Sequence, residues 1–121
     1  MAGNKVVHIE VPAGETTRAR EFWSGLVGWS FQTFEGPMEY HTFEGEPGGG
    51  LYPAEGGDKG IRLYFPTDDI KAEVARVNEL GGEGGEPGPV PGMGWYSICK
   101  DTEGNEFGLW QNDPSAQAPS E

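Results

Sequence analysis

Apolar and polar residues alternate at the start of the chain. Val7, Ile9 and Val11 fall two apart within residues 5–11, with Val6, His8 and Glu10 between them, the period of a strand buried on one face. The period then changes: Ala19, Phe22, Trp23 and Leu26 stand at i, i+3, i+4 and i+7, opposite Arg18, Arg20 and Glu21. That spacing predicts an amphipathic helix whose apolar stripe needs a sheet to cover it. The same succession returns later. Ile61, Leu63 and Phe65 alternate, then Ile70, Val74, Val77 and Leu80 recur at helical spacing. Asp68 and Asp69 are placed to cap this second helix, and Gly81 and Gly82 to end it. After each helix come short segments punctuated by Gly and Pro, which read as strands. The chain thus repeats itself, and a repeat of this length sets architecture before any single motif is weighed.

The pattern places strands near 5–11, 29–35, 38–44, 48–52, 60–66, 84–90, 94–100 and 105–111. With 121 residues the chain can build one domain with a real core but not two independent ones. The expected organisation is one domain over 1–112, with module one at about 4–53 and module two at about 59–111. A Pro-, Ser- and Ala-rich tail over 113–121 is expected to fray.

Because residues two apart share a sheet face, the repeat also sorts side chains. One phase holds Val7, Ile9, Val11, Leu51, Ile61, Leu63, Phe65, Phe107 and Leu109. It is apolar throughout and is expected to meet the helices. The other phase mixes types: Val6, His8 and Glu10, then Gly50 and Tyr52, Arg62 and Tyr64, and Glu106, Gly108 and Trp110. Tyr52, Tyr64 and Trp110 on one surface would be costly to leave in water, and the glycines among them leave room. A concave pocket is the reading this favours over a solvated face or a dimer contact.

Charge and cysteine count narrow the classes. Twenty acidic residues against eight basic ones give a net charge of -12, which repels phosphate backbones and anionic lipid surfaces, so neither nucleic acid nor membrane is expected as a partner. A cationic ligand stays open, the ordinary reading of the acid being solvating surface. There is no apolar run long enough to span a bilayer and no secretion-signal pattern at the start, so a cytoplasmic location is expected. Cys99 is the one cysteine, which rules out an intrachain disulfide and a cysteine-based zinc cluster, and its apolar run reads as a small buried hydrophobe. His41 has an ambiguous strand phase and is assigned to the surface by default. The run from Asp101 to Asn105 has the chemistry of a hairpin turn and lacks the spaced ligands of a calcium loop.

Several pieces together resemble the vicinal oxygen chelate superfamily, the glyoxalase and bleomycin-resistance type. They are Val7-His8-Ile9-Glu10-Val11, Phe22-Trp23, Leu26-Val27-Gly28-Trp29, Asp68-Asp69-Ile70, Leu80-Gly81-Gly82, Pro91-Gly92-Met93-Gly94-Trp95 and the run from Asp101 to Gln111. The resemblance covers residues 5–111. It implies an α+β fold in which two βαβββ modules form a half-open, eight-stranded barrel around a cleft, often within a homodimer. Metal-dependent members of the family hold a divalent ion with four inward side chains, and these positions fall at His8, Gly50, Arg62 and Gly108. Only His8 could bind metal there. A glycine offers no side-chain ligand, and a guanidinium repels a cation. The family's metal site is therefore expected to be absent and no cofactor is expected. A shifted site using His8, Glu10 and Glu106 remains chemically possible, since these share a face by parity.

His8 reads equally as a pocket-wall residue or a functional one. Arg62 wants a carboxylate, so it either pairs with Glu10 or Glu106 or receives an anionic ligand group. The leading function is a metal-free small-molecule binding protein, holding an aromatic or amphipathic ligand against Tyr52, Tyr64 and Trp110, with His8, Arg62, Glu10 and Glu106 orienting polar groups. The resistance proteins of this family bind cationic glycopeptide drugs in such a way, with which the acidic balance is compatible. The alternative is a lyase, isomerase or dioxygenase that uses a relocated metal or metal-free acid/base chemistry, with His8, Glu10 and Glu106 as candidate catalytic residues. A third reading is a regulatory module whose cleft is closed by side chains or by a partner subunit. The expected partners are a small-molecule ligand and a second copy of the chain.

Overall fold

The computed structural model describes residues 2–54 and 60–117. They divide into two compact units, Val7–Leu63 and the chain from Tyr64 onward together with the N-terminal residues through Val6. The first unit contains β1 (His8–Ala13), α1 (Thr16–Val27), β2 (Phe31–Thr33), β3 (His41–Phe43) and β4 (Gly48–Pro53). Its strands lie in the order β2-β3-β4-β1, with β1 parallel to β4 and the other pairs antiparallel. The second is built on β5 (Arg62–Pro66), whose first two residues count with the first unit, then α2 (Ile70–Glu79), β6 (Gly88–Val90), β7 (Gly94–Lys100) and β8 (Glu106–Asn112). There the order is β5-β8-β7-β6, with β5 parallel to β8. Both are βαβββ modules and the class is α+β, as the repeat predicts. Among the described residues, no helix is long and apolar enough to cross a membrane.

Each parallel pairing puts the period-two pattern to use. Val11 is in register with Leu51, and these two with Ala13 form the first unit's core, against which Ile9, Ala19, Trp23, Trp29 and Phe31 pack. Stacked rings extend this core. Trp29 lies on Phe43 with ring centroids 3.8 Å apart, and Trp23 lies on Trp29 at 5.1 Å. In the second unit Ile70, Cys99 and Leu109 are buried together, joined by Phe65, Val74, Val77, Trp95 and Phe107. Cys99 is a core atom set, as its apolar neighbours suggest, with its sulfur 3.3 Å from Ser97 Oγ.

The helix ends follow local chemistry. Asp69 caps α2 by accepting from Ala72 N at 3.2 Å, and Gln111 Oε1 accepts from Ile70 N at 2.8 Å, so two of the unsatisfied first-turn amides find partners. Gly81, at φ 95, supplies the left-handed residue that lets the chain leave that helix.

Four expectations are corrected. The stripe of α1 is rotated: Thr16, Ala19, Arg20 and Trp23 face inward, whereas Phe22 and Leu26 are 58% and 64% exposed. The cause is the shortness of β2 and β3, three residues each. The Trp29, Phe31 and Phe43 rings already fill the space beneath the helix, and Trp23 alone completes the stack.

The first strand begins at His8, not at Lys5. Gly3 N donates to Pro66 O at 2.9 Å and Ala2 packs on the second unit's core, so the leading residues are drawn away from β1. Val7, Ile61 and Leu63, assigned to the apolar face, are exposed.

His41 is buried, at 4% exposure. Phe43 stacks on Trp29, and the residue two before it must point the same way. Its ring is satisfied by Thr33 Oγ1 at Nδ1 (3.2 Å) and by Glu39 Oε2 at Nε2 (2.7 Å), and Glu39 also accepts from the Thr16 hydroxyl at 2.5 Å. The Thr16 hydroxyl first, and His41 after it, hold the Glu39 carboxyl below its ordinary value.

The segment after β8, expected to fray, is anchored as far as Ala116. Ala116 is 1% exposed and its carbonyl accepts from Gly92 N at 2.9 Å. Asp113 accepts from Ser115 Oγ (2.6 Å) and from the Trp95 indole N–H (3.0 Å). The remaining tail residues, 118–121, lie outside the described ones.

Two outcomes follow. Leu51→Ala empties a fully buried site and is expected to cost about 2–5 kcal/mol in urea denaturation, whereas Phe22→Ser is expected to stay within about 0.5 kcal/mol. The Ser115 hydroxyl, the Trp95 indole and the Ser115 amide lower the Asp113 pKa. The contribution of this carboxylate is therefore fully present above the ordinary aspartate value of about 3.9 and is lost as pH falls through the lower folded value. The Trp95 indole resonance should hold steady from neutral pH down to about 4 and move only below it, and Asp113→Asn should abolish that movement.

Candidate functional site

The β1–β4 register brings the first unit's polar residues onto one face: His8 pairs with Gly48, Glu10 with Gly50 and Pro12 with Tyr52, and in-register neighbours of a parallel pair point the same way. Arg62, at the start of β5, reaches this group. Its Nη1 donates to Glu10 Oε1 at 2.9 Å, the two side chains being 14% and 18% exposed. Of the two carboxylates expected to compete for Arg62, Glu10 holds this ion pair. Glu106 belongs to the other unit, exposed at the start of β8 and in register with Lys100.

Tyr40 joins the group, and the pattern of the sequence alone did not single it out. It stands just before β3, and its hydroxyl lies 2.9 Å from Glu10 Oε2 and 2.9 Å from His8 Nε2. His8 Nε2 and Glu10 Oε2 are themselves 3.8 Å apart, so the phenol bridges them. A continuous hydrogen-bonded row results: Arg62, Glu10, Tyr40, His8. The signal for Tyr40 was parity. Once Phe43 is assigned to the core, Tyr40 and Thr42 must take the opposite face, and Thr42 is in register with Gly50.

The Tyr40 ring lies where a side chain at position 50 would stand. A Cβ built on Gly50 would come 2.0 Å from Tyr40 Cζ, a separation no real contact tolerates. The second unit repeats the device. Tyr64 is in register with Gly108, is 5% exposed, and its ring lies 2.2 Å from where a Cβ on Gly108 would be. So the two glycines that the resemblance aligns with metal-ligand positions are each covered by a tyrosine ring. On the same face of the second unit Trp110 lies over Gly94 and Tyr96 over Gly88, with Tyr96 and Trp110 directly paired across β7 and β8. Tyr64 and Trp110 thus share a face, as their parity predicts, and Tyr96 is an aromatic of that face which the strand reading passed over. The Trp110 indole donates to Asn112 Oδ1 at 2.6 Å.

This donor set does not suit the superfamily's divalent ion. At the ligand positions of the first unit, position 50 has no side chain and its space holds a phenol ring, and the Arg62 guanidinium brings a permanent positive charge already matched by Glu10. Among the described residues no group of three or more His, Cys, Asp or Glu side chains is disposed to hold a metal.

Comparison with known proteins agrees with this architecture. A family model described as a glyoxalase-like domain matches residues 7–110. A glyoxylase-like domain-containing protein of Didymella fabae is 32% identical over 117 residues, covering 84% of this chain and 88% of that protein. Among solved structures, a hypothetical protein from Bacillus halodurans C-125 aligns with a TM-score of 0.70 at 17% identity, covering 96% of this chain and 98% of its own. Methylmalonyl-CoA epimerase from Mycobacterium tuberculosis aligns at 0.70 and 12% identity, covering 93% and 90%. A glyoxalase/bleomycin resistance protein/dioxygenase superfamily member from Vibrio splendidus 12B01 aligns at 0.62 and 17%, covering 86% and 96%. At these identities the structural likenesses concern the fold. The match across most of the sequence assigns the rest: this chain belongs to the glyoxalase-like domain family, within the vicinal oxygen chelate superfamily.

Proposed function

We propose that this protein is a small-molecule binding protein of the glyoxalase/bleomycin-resistance type that takes an aromatic or amphipathic ligand without the superfamily's metal. The observation that carries the reading is the loss of the ligand set in a particular way: the Tyr40 ring covers Gly50, and Arg62 is committed to Glu10. These residues offer hydrogen-bonding groups and ring surface, the inventory of a binding site, and no vacant coordination sphere. His8, Tyr52 and Arg62 are the first unit's contacts in this reading, and Tyr64 and Trp110 the second's.

A second reading is favoured by one observation. His8, Tyr40 and Glu10 are linked in a row that could pass charge away from the imidazole, which suits metal-free acid/base chemistry at His8. Among the structural neighbours are methylmalonyl-CoA epimerases, so a proton-moving isomerase is the enzyme class to test first.

Isothermal titration against a panel of aromatic drugs and metabolites is expected to give saturable heat for at least one compound, and silence across the panel counts against binding. Protein purified without chelator is expected to carry far less than one equivalent of nickel, zinc, iron or manganese, and a stoichiometric ion would overturn the metal-free reading. Turnover of a panel compound, lost in His8→Ala, would favour the second reading. A double-mutant cycle tests the covered corner: Gly50→Ala is expected to destabilise by about 1–3 kcal/mol in the wild-type background and by clearly less with Tyr40→Ala, where the obstructing ring is gone.

A further inference from the structure

Phe34 carries an apolar ring that is open to solvent and yet held in place. The β2–β3 register ends on Thr33 and His41, and one step further out Phe34 N donates to Tyr40 O at 2.8 Å. Phe34 and Tyr40 thus stand opposite each other at the loop end of the hairpin. Opposed residues of an antiparallel pair take one face, and successive pairs alternate. His41 points to the buried side, where its Nδ1 meets the Thr33 hydroxyl at 3.2 Å. Phe34 therefore shares the face of Tyr40, Thr42 and Gly50, which is also that of His8 and Glu10. Its ring is fixed from two directions: it meets the Tyr40 ring at 87° with centroids 6.4 Å apart, and a Cβ on Gly36 would come 3.2 Å from its Cε1. The root of the hairpin is pinned as well. Glu39 and His41, on either side of Tyr40, are bonded to each other, and Glu39 is bonded to Thr16 at the start of α1. Even so, Phe34 is 53% exposed. Its ring is positioned before any ligand arrives, so stacking on it costs little further side-chain ordering.

We infer that Phe34 is a specificity-determining residue of the binding face: its open surface packs against a ring of the ligand, and it narrows the ligand class to planar aromatic compounds. A saturated ring of the same size finds apolar contact there but lacks the offset-stacked or edge-to-face interaction between π-systems, which is worth about fivefold in affinity. Phe34 thereby adds an aromatic contact to the first unit's side of the site, beside His8 and Tyr52. This inference rests on the binding reading above and deepens it.

Two probes of matched skeleton test it, 2-naphthol and its saturated counterpart 2-decalol, each titrated into the full chain labelled with ¹³C-phenylalanine. In the wild type 2-naphthol is expected to shift the Phe34 ring resonances saturably and to leave those of Phe22, 58% exposed on the outer side of α1, unmoved. It should bind about fivefold more tightly than 2-decalol. Phe34→Leu keeps apolar bulk but removes the π-face. An exposed position tolerates that change, and unshifted resonances of the remaining phenylalanines check the fold. The variant should lose about fivefold in affinity for 2-naphthol and nearly nothing for 2-decalol. Binding of 2-naphthol without a shift at Phe34 overturns the inference, and so do equal shifts at Phe34 and Phe22, equal wild-type affinities for the two probes, equal losses in the variant, or silence to both. The first of these outcomes leaves binding itself intact, and the wider panel of compounds decides binding separately, so the two failures are told apart.

Discussion

The polar face of the first unit depends on where one phenol oxygen sits. Tyr40 lies outside β1, the strand that carries both His8 and Glu10, yet its hydroxyl meets both while its ring closes the space over Gly50. A half-buried carboxylate beside a histidine would otherwise have to find water or a cation. Here it is met from one side by a guanidinium and from the other by a phenol. Both oxygens of the Glu10 carboxylate are thereby hydrogen-bonded, and pairing of this kind restrains the orientation of the side chains.

Glycine and tyrosine exchange roles in both modules. In each, a strand position that the resemblance aligns with a metal ligand of the superfamily is a glycine, and an aromatic ring from a neighbouring segment lies over it. The ring recovers apolar contact and removes backbone from water, so the glycine is not a gap in the packing. A carboxylate placed at position 50 or 108 would meet that ring.

Much of this was legible in the sequence. The repeat of a two-residue period followed by a helical one specified two βαβββ modules, the Asp69 cap and the Gly81 exit set the ends of α2, and the polar phase of β1 and β5 marked His8, Glu10 and Arg62 as one group. Parity also placed Tyr64 and Trp110 on a common face. What was misread shares one origin. The stripe of α1 was read as Ala19, Phe22, Trp23 and Leu26, but helical spacing alone fits adjacent stripes almost equally well. The three rings under α1 selected the one containing Thr16 and Trp23. His41 was assigned to the surface because a three-residue strand is too short to reveal its phase.

Sequence by itself therefore determined the order and type of the elements, the caps, the family, and the bare positions 50 and 108, because these depend on residue type and on periods carried within a segment. Tertiary structure alone decided that Tyr40 bridges His8 and Glu10, that Glu10 pairs with Arg62, and that His41 is buried against Glu39 and Thr33. Each of these joins residues from different segments through a contact a few ångströms long. Its existence turns on strand register and ring orientation, which no local pattern encodes.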